Sequence, residues 1–287
     1  MPRPTIDIVV PARHEATTLP RCLAALAPQL SACDARLIVV CNGTDAELSA
    51  AAVRGFPGMA QDGARLIVET CETPGKANAL NIGDRHTRGG AVMYLDADII
   101  LSSNAVAATL ERLTATDAPR LSAPRPDVVV AKSWLTRQYS TVWASLPGVA
   151  DDVIGAGCYA VNAAGRGRWA TFPDHLPDDS YVRSRFAAHE RVVATDATFQ
   201  ITMPEGLDIL PIVRRWAAGN AVLAATRGDA DGVVARVGAS PAQNLRHIAG
   251  RPDLWPSVPG FAAVWGLARV TRAGFDPAWT PVRPDAG

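Results

Sequence analysis

Four short runs of aliphatic and β-branched residues constrain this chain most. They are Ile6-Asp7-Ile8-Val9-Val10, Leu37-Ile38-Val39-Val40, Arg65-Leu66-Ile67-Val68 and Ala91-Val92-Met93-Tyr94-Leu95. Runs this short and this continuous suit strands covered on both faces of a parallel sheet. Helical segments separate them. Thr17-Thr18 read as a cap before a helix with Pro20 in its first turn, and Leu19, Leu23, Leu26 and Leu30 recur at helical spacing as core. Further helices are expected at about 45–53, 76–84 and 104–113. Strands alternating with helices imply a parallel α/β sheet with right-handed crossovers. Ligands bind such sheets beyond the carboxyl ends of the strands. Arg13, Cys41-Asn42, the Pro74-Gly75-Lys76 loop and Asp96/Asp98 all fall at that edge.

Asp96-Ala97-Asp98 ends the fourth run. Two carboxylates at the tip of a buried strand are costly to desolvate unless a cation or strong donors meet them. Mg²⁺ and Mn²⁺ take such oxygen ligands and often share them with phosphates. The reading is therefore a metal–diphosphate site. On its own, Asp-x-Asp is more simply a pair of turn acids; its neighbours at the same edge reverse that. Lys76, at a helix start, could assist an anion there, or could be a solvated lysine.

The chain has 287 residues, room for one large or two fused domains. Lys plus Arg equals Asp plus Glu at 28 each, so no net charge attracts nucleic acid. The five cysteines are odd in number and form no Cys-x-x-Cys, which fits a reducing cytoplasm better than a disulfide framework or zinc site. The first strand begins within a few residues, so no secretory signal is expected, and no apolar stretch is long enough to span a membrane.

After about residue 117 the pattern loosens. A strand is expected at 127–132, a helix at 133–144, a strand entered through glycines at 155–161, and a helix from Asp178-Asp179 to about Phe186. Val192-Val193 and 199–202 read as two short strands, and 210–223 as a helix carrying Arg214-Arg215-Trp216. In the tail, Phe261, Val264, Trp265 and Ala268 share one face of a helix over 260–272. That helix either lies on a membrane surface or packs on the enzyme body. Its few basic residues favour packing.

These segments together resemble the family 2 glycosyltransferases, inverting enzymes of the GT-A fold. The similarity runs from Ile6 to about Asn220. It rests on Ile8-Val9-Val10-Pro11-Ala12-Arg13-His14-Glu15, Val39-Val40-Cys41-Asn42-Gly43-Thr44-Asp45, Gly75-Lys76-Ala77-Asn78-Ala79-Leu80-Asn81-Ile82-Gly83, Tyr94-Leu95-Asp96-Ala97-Asp98, and Asp178-Asp179. The fold implied is a Rossmann-like, mostly parallel central sheet flanked by helices. A nucleotide-sugar-binding half (1–117) precedes an acceptor-binding, catalytic half (118–228) and a C-terminal helical tail (229–287). The resemblance implies transfer of a sugar from a nucleotide diphosphate donor with Mn²⁺ or Mg²⁺. Asp98 would hold the metal and Asp96 would face the ribose or diphosphate. Pro11, Ala12, Arg13 and Glu15 match the nucleoside loop, Asp179 the general base, and Arg215-Trp216 a later motif. Asp178 would orient a neighbour or raise the base's pKa by like-charge proximity. The structural alternative for the acid pair is a helix cap.

Two departures stand out. Many members have Asp where this chain has Cys41, leaving Asn42 to meet the base edge. Ile212 stands where the later motif often has Gln, which argues against a processive synthase. His247 is a candidate third metal ligand, although each histidine is more simply solvated or structural. The expectation is a non-processive transferase using a UDP-sugar first, with GDP and dTDP open. The acceptor is a lipid, a glycan or a small metabolite. A sugar nucleotidyltransferase and an inactive nucleotide-sugar-binding module are the alternatives. The first would want a Gly-rich loop after the first strand, and Pro11-Ala12-Arg13-His14 has no glycine.

Overall fold

A computed structural model of the chain describes residues 5–13, 18–54, 56, 65–174, 176–225 and 240–270. The first half alternates as expected: β1 (Ile6–Ala12), α1 (Leu19–Ala32), β2 (Ala35–Asn42), α2 (Ala46–Arg54), β3 (Leu66–Cys71), α3 (Lys76–Asp84) and β4 (Ala91–Leu95). Then come β5 (Ile100–Leu101), α4 (Ala105–Thr114), β6 (Leu121–Val128), α5 (Trp134–Ser145), α6 (Pro147–Ala150), β7 (Cys158–Val161), α7 (Ala163–Arg166), α8 (Asp178–Ser184), β8 (Arg191–Ile201), α9 (Ile209–Ala225), α10 (Pro241–Ala249) and α11 (Val258–Val270).

The eight strands form one sheet in the order β3-β2-β1-β4-β7-β6-β8-β5. The pairs β1–β2, β2–β3 and β1–β4 are parallel, while β4–β7 is antiparallel. The chain steps outward from β1 through β2 to β3, then returns to place β4 on the other side of β1. That reversal opens a crevice at the carboxyl ends of β1 and β4, where open α/β sheets take ligands. The second half joins the same sheet through β7, which pairs Leu95 with Cys158.

The core follows the sequence pattern. Ile8, Val9, Val10, Leu37 to Cys41 and Met93 are fully buried, and α1 turns Leu19, Leu23, Leu26 and Leu30 inward. Thr18 is the cap position of α1, but its side chain makes no capping bond; Pro20 fills the first turn. Asp7 is the charged exception on β1. It is 1% exposed and is met by the Nε atoms of Arg36 at 3.2 Å and Arg88 at 2.9 Å. It lies at the end of β1 away from the crevice, so it fastens the sheet there.

Three expected elements have different extents. The strand expected at 127–132 runs instead over Leu121–Val128. Pro124 and Pro126 disguise it, because proline reads as a strand breaker. Only Leu121 and Ser122 pair with β7; beyond them β6 pairs with β8 alone, so its other edge needs no N–H donors. The two short strands expected at 192–193 and 199–202 are one strand, β8, eleven residues long. The strand expected from 155 begins at Cys158, because the three residues before it have positive φ.

In the tail, α11 packs on α5 and α9. Phe261 stacks on Tyr139 with centroids 5.4 Å apart, and Val264 and Ala268 are buried. Trp265 does not share that face; it is 45% exposed under the Arg269 guanidinium. Among the described residues no helix is long and apolar enough to cross a membrane. The rest of the expected tail helix, including Arg272, lies outside the described residues.

Candidate active site

The crevice is built first from a turn. After β4, Ile99 N–H donates to the Asp96 carbonyl at 3.1 Å, a tight reversal that leaves Asp98 exposed at its tip and buries Ala97. Asp96 N–H in turn donates to the Gly157 carbonyl at 2.7 Å, which docks the turn on the entry to β7.

Lys76, the first residue of α3, reaches across this turn. Its Nζ lies 2.7 Å from Asp96 Oδ1 and 2.9 Å from Asp178 Oδ1 on α8. One ammonium therefore joins an acid of the first half to an acid of the second. Burial opposes its charge, but Asp178, Asp96 and Asp179 outweigh burial and hold it protonated, well above the usual lysine range. The other oxygen of Asp178 accepts from the fully buried Tyr159 hydroxyl at 2.8 Å. Both Asp178 oxygens are thus taken, one by a cation and one by a phenol.

Asp179 is held differently. Oδ2 accepts from Ala156 N–H at 3.1 Å and Oδ1 from Ser180 N–H at 2.5 Å. Gly155, Ala156 and Gly157 have φ of +83°, +39° and +89°, a left-handed run that curls the backbone around the acids. A Cβ on Gly155 would stand 2.3 Å from Asp179 Cβ, and one on Gly157 would stand 3.1 Å from Asp96 Oδ2. No side chain fits at the first. Burial, then the charge of Asp178, pushes the Asp179 carboxyl up to about 6, with Lys76 pulling the other way. A carboxylate poised there can accept a proton near neutral pH.

The other expected residues are placed as follows. Pro11 and Ala12 end β1, and Arg13 follows with its side chain against Gly43. Asn42 is buried, and its amide is spent inside the protein. It donates to the Ala12 carbonyl at 3.2 Å and accepts from Gly75 N–H at 3.2 Å. It ties three crevice segments together, an arrangement that sequence reasoning did not anticipate. Arg215 lies on α9 one turn before Gly219. A Cβ on Gly219 would stand 2.3 Å from Pro177, the residue before Asp178. Trp216 stacks on Trp143 at 5.4 Å. His247 sits on α10, and α10 packs against α6 and the 3₁₀ turn Pro252–Ser257. Among the described residues no group of three or more His, Cys, Asp or Glu side chains could hold a metal ion, so His247 is not gathered with Asp96 and Asp98 into one. Glu15 lies outside the described residues.

Sequence reasoning missed Tyr159 and the cradle at Gly155. A tyrosine in a strand reads as core, and only the two flanking glycines hinted at a special backbone.

Residues 7–167, more than half of the chain, match the model of the glycosyl transferase family 2. The chain is a family 2 glycosyltransferase. Its fold is similar to that of a mannosyltransferase from Pyrobaculum calidifontis solved with GDP-Man and Mn²⁺. The TM-score is 0.60 at 21% identity, over 96% of this chain and 77% of that one. It is also similar to GalNAc-T7 solved with UDP, GalNAc and Mn²⁺. There the TM-score is 0.50 at 13% identity, over 75% of this chain and 48% of that one. No curated protein matches the sequence. The glycosyltransferase thus has the GT-A fold, a mixed α/β architecture around one mostly parallel sheet. Membership of the family decides against the nucleotidyltransferase alternative.

Proposed function

We propose that this glycosyltransferase is inverting, metal-dependent and non-processive. It moves a sugar from a nucleotide diphosphate donor to an acceptor hydroxyl. The observation that carries this reading is the Lys76 bridge, which brings Asp96 on the donor side together with Asp178, beside Asp179, in one crevice.

In this reading the acceptor hydroxyl sits at Asp179. As its oxygen bonds to the anomeric carbon, the bond from that carbon to the diphosphate breaks on the opposite face, and the hydroxyl proton passes to Asp179. A carboxyl pushed up to about 6 is a better proton acceptor than an ordinary one, yet it is still ionised at pH 7. Asp178, pinned between Lys76 and Tyr159, keeps a fixed negative charge beside it.

The divalent cation in this reading rests on the chemistry of two acids and on ligands the substrate would bring, since no group of three or more His, Cys, Asp or Glu among the described residues could hold a metal ion. Asp98 offers a hard oxygen ligand on an exposed turn tip, and Asp96 lies two residues away with its side chain 33% exposed. Mn²⁺ or Mg²⁺ at Asp98 would supply positive charge against the departing diphosphate. Lys76 is the protein's own cation on the same side and can follow the diphosphate when it arrives. Asn42, with its amide occupied, is a poor reader of the base, so selection among UDP, GDP and dTDP falls to other groups at the ends of β1 and β2.

A thermal-shift panel of UDP, GDP and dTDP with Mn²⁺ tests donor and metal together, because a ligand that binds only the folded state raises Tm. One nucleotide is expected to raise Tm only with metal, and Asp98→Ala is expected to abolish that dependence. An equal shift without metal would sink the metal assignment.

A further inference from the structure

The helix carrying Asp179 is held at two places, one turn apart. The upper hold is the one already described, from Ala156 N–H to Asp179 Oδ2. The lower hold is Arg183, four residues on and therefore on the same face of α8. Its Nη2 donates to Asp152 Oδ2 at 2.6 Å and to the Gly148 carbonyl at 3.3 Å. Asp152 precedes Ala156 by four residues. One stretch of backbone, 148–156, is thus bonded to α8 at both levels, with the polarity reversed between them. Below, the acid is on the loop and the donor on the helix. Above, the acid is on the helix and the donor on the loop.

A third element locks the lower hold. The other oxygen of Asp152 accepts from Val153 N–H at 2.8 Å and lies 3.1 Å from Arg191 Nε at the start of β8. The side chains of Arg183 and Arg191 are each only 6% exposed. Two guanidiniums share one carboxylate; Arg191 meets it as an ion pair without a hydrogen bond, and Arg183 Nε and both Nε and Nη1 of Arg191 have no hydrogen-bond partner among the described residues. A buried cluster with more cations than anions is a poor source of stability; apolar side chains of similar volume often do as well or better. What it supplies is direction. Arg183 Nη2 alone meets both the Asp152 carboxylate and the Gly148 carbonyl, and one nitrogen on a planar, rigid head group reaches both only when the loop and the helix stand in one register.

We propose that Arg183 and Asp152 are a positioning pair for the proton acceptor, aligning the loop 148–156 so that Ala156 and Gly155 hold the Asp179 carboxyl in place. The role rests on the reading of Asp179 as base. Neither residue belongs to the segments that first singled out this crevice, and neither touches the reacting atoms. If the pair is broken, α8 and the loop separate, water enters between Gly155 and Asp179, and the carboxyl turns from the crevice.

Carboxyl-carbon NMR of the full-length protein, labelled at aspartate, tests this without a substrate; Asp179→Asn identifies the Asp179 signal. Asp178 on the same helix, Lys76 on α3 and Asp96 after β4 face this carboxyl and are unchanged in the variants. In Arg183→Met the Asp179 titration is expected to fall by at least one pH unit toward the ordinary range. Arg183→Lys, which keeps the charge on a flexible stem without the rigid planar head, should fall between. Asp152→Asn should follow Arg183→Met, and gives the same reading if the methionine variant does not fold. A variant that is merely less stable would lower Tm and leave the titration of the folded protein in place. That outcome, an unmoved Asp179 signal in folded Arg183→Lys and Asp152→Asn, overturns the proposal. Mn²⁺-dependent hydrolysis of UDP-glucose and GDP-mannose by Asp179→Asn is a separate arm. Undiminished turnover there removes the base assignment but leaves the NMR result standing on its own terms.

Discussion

Lys76 and Asp178 approach to 2.9 Å although one opens the helix after β3 and the other opens α8, a hundred residues later. The same ammonium holds Asp96, so one side chain ties the turn after β4 to the acid pair. Lys76→Met should leave Asp96 and Asp178 facing each other without a cation. We expect a loss of about 1–3 kcal/mol, less than for a fully buried pair because both carboxylates keep some water. Urea unfolding measures it. Turnover should fall further than stability, since in the proposed mechanism the same lysine meets the diphosphate.

The pH dependence follows from Asp179. Its folded pKa is raised to about 6, from an ordinary value near 4. Activity limited by the ionised form should fall about tenfold per pH unit below 6. Stability runs the other way. A raised carboxyl pKa favours the folded state below the unfolded value, and that advantage is lost as pH climbs through 6. Asp179→Asn should therefore match the wild type near pH 4 and exceed it above pH 6, by about 1–2 kcal/mol after allowing for its partial exposure. Melts at the two pH values check the sign; the variant's turnover should drop by about 10²–10⁴.

Gly155 offers a controlled comparison. Gly155→Ala meets both a positive φ and a Cβ 2.3 Å from Asp179. Gly89 has φ +79° with nothing within 4 Å of an added Cβ. Gly89→Ala should lose only the backbone strain, about 1–2 kcal/mol, and keep activity. Gly155→Ala should lose more stability than that, and nearly all turnover. Equal effects of the two substitutions on turnover would mean the cradle does not position the acid.

The two faces of α11 should respond differently. Phe261→Ala removes a ring stacked on Tyr139 and should cost about 2–4 kcal/mol. Trp265→Ser acts on an exposed side chain and should change stability by under about 1 kcal/mol. Thermal unfolding distinguishes them.

The first half of the fold was legible because its signals are local. Each strand is a continuous apolar run and each helix has its own period, so α3 and β4 fall where the sequence puts them. β6 was displaced because Pro124 and Pro126 carry a local message that an unpaired edge overrides. Within the site, Asp96, Asp98, Asp178 and Asp179 could be picked out as acids at element ends. Their partners could not. Asn42 looked like a recognition group, and only its neighbours show its amide already engaged. Tyr159 and Arg183 carry no motif at all, because hydrogen bonds over nineteen and thirty-one residues of separation leave no trace in spacing.

The antiparallel pairing of Leu95 with Cys158 has one more consequence. The crevice does not lie between two bodies that can swing apart; its floor is a seam between neighbouring strands. Opening and closing around a guest must therefore come from movable trimmings above that floor, a lysine that trades partners and a tip that carries Asp98, while the platform beneath stays rigid.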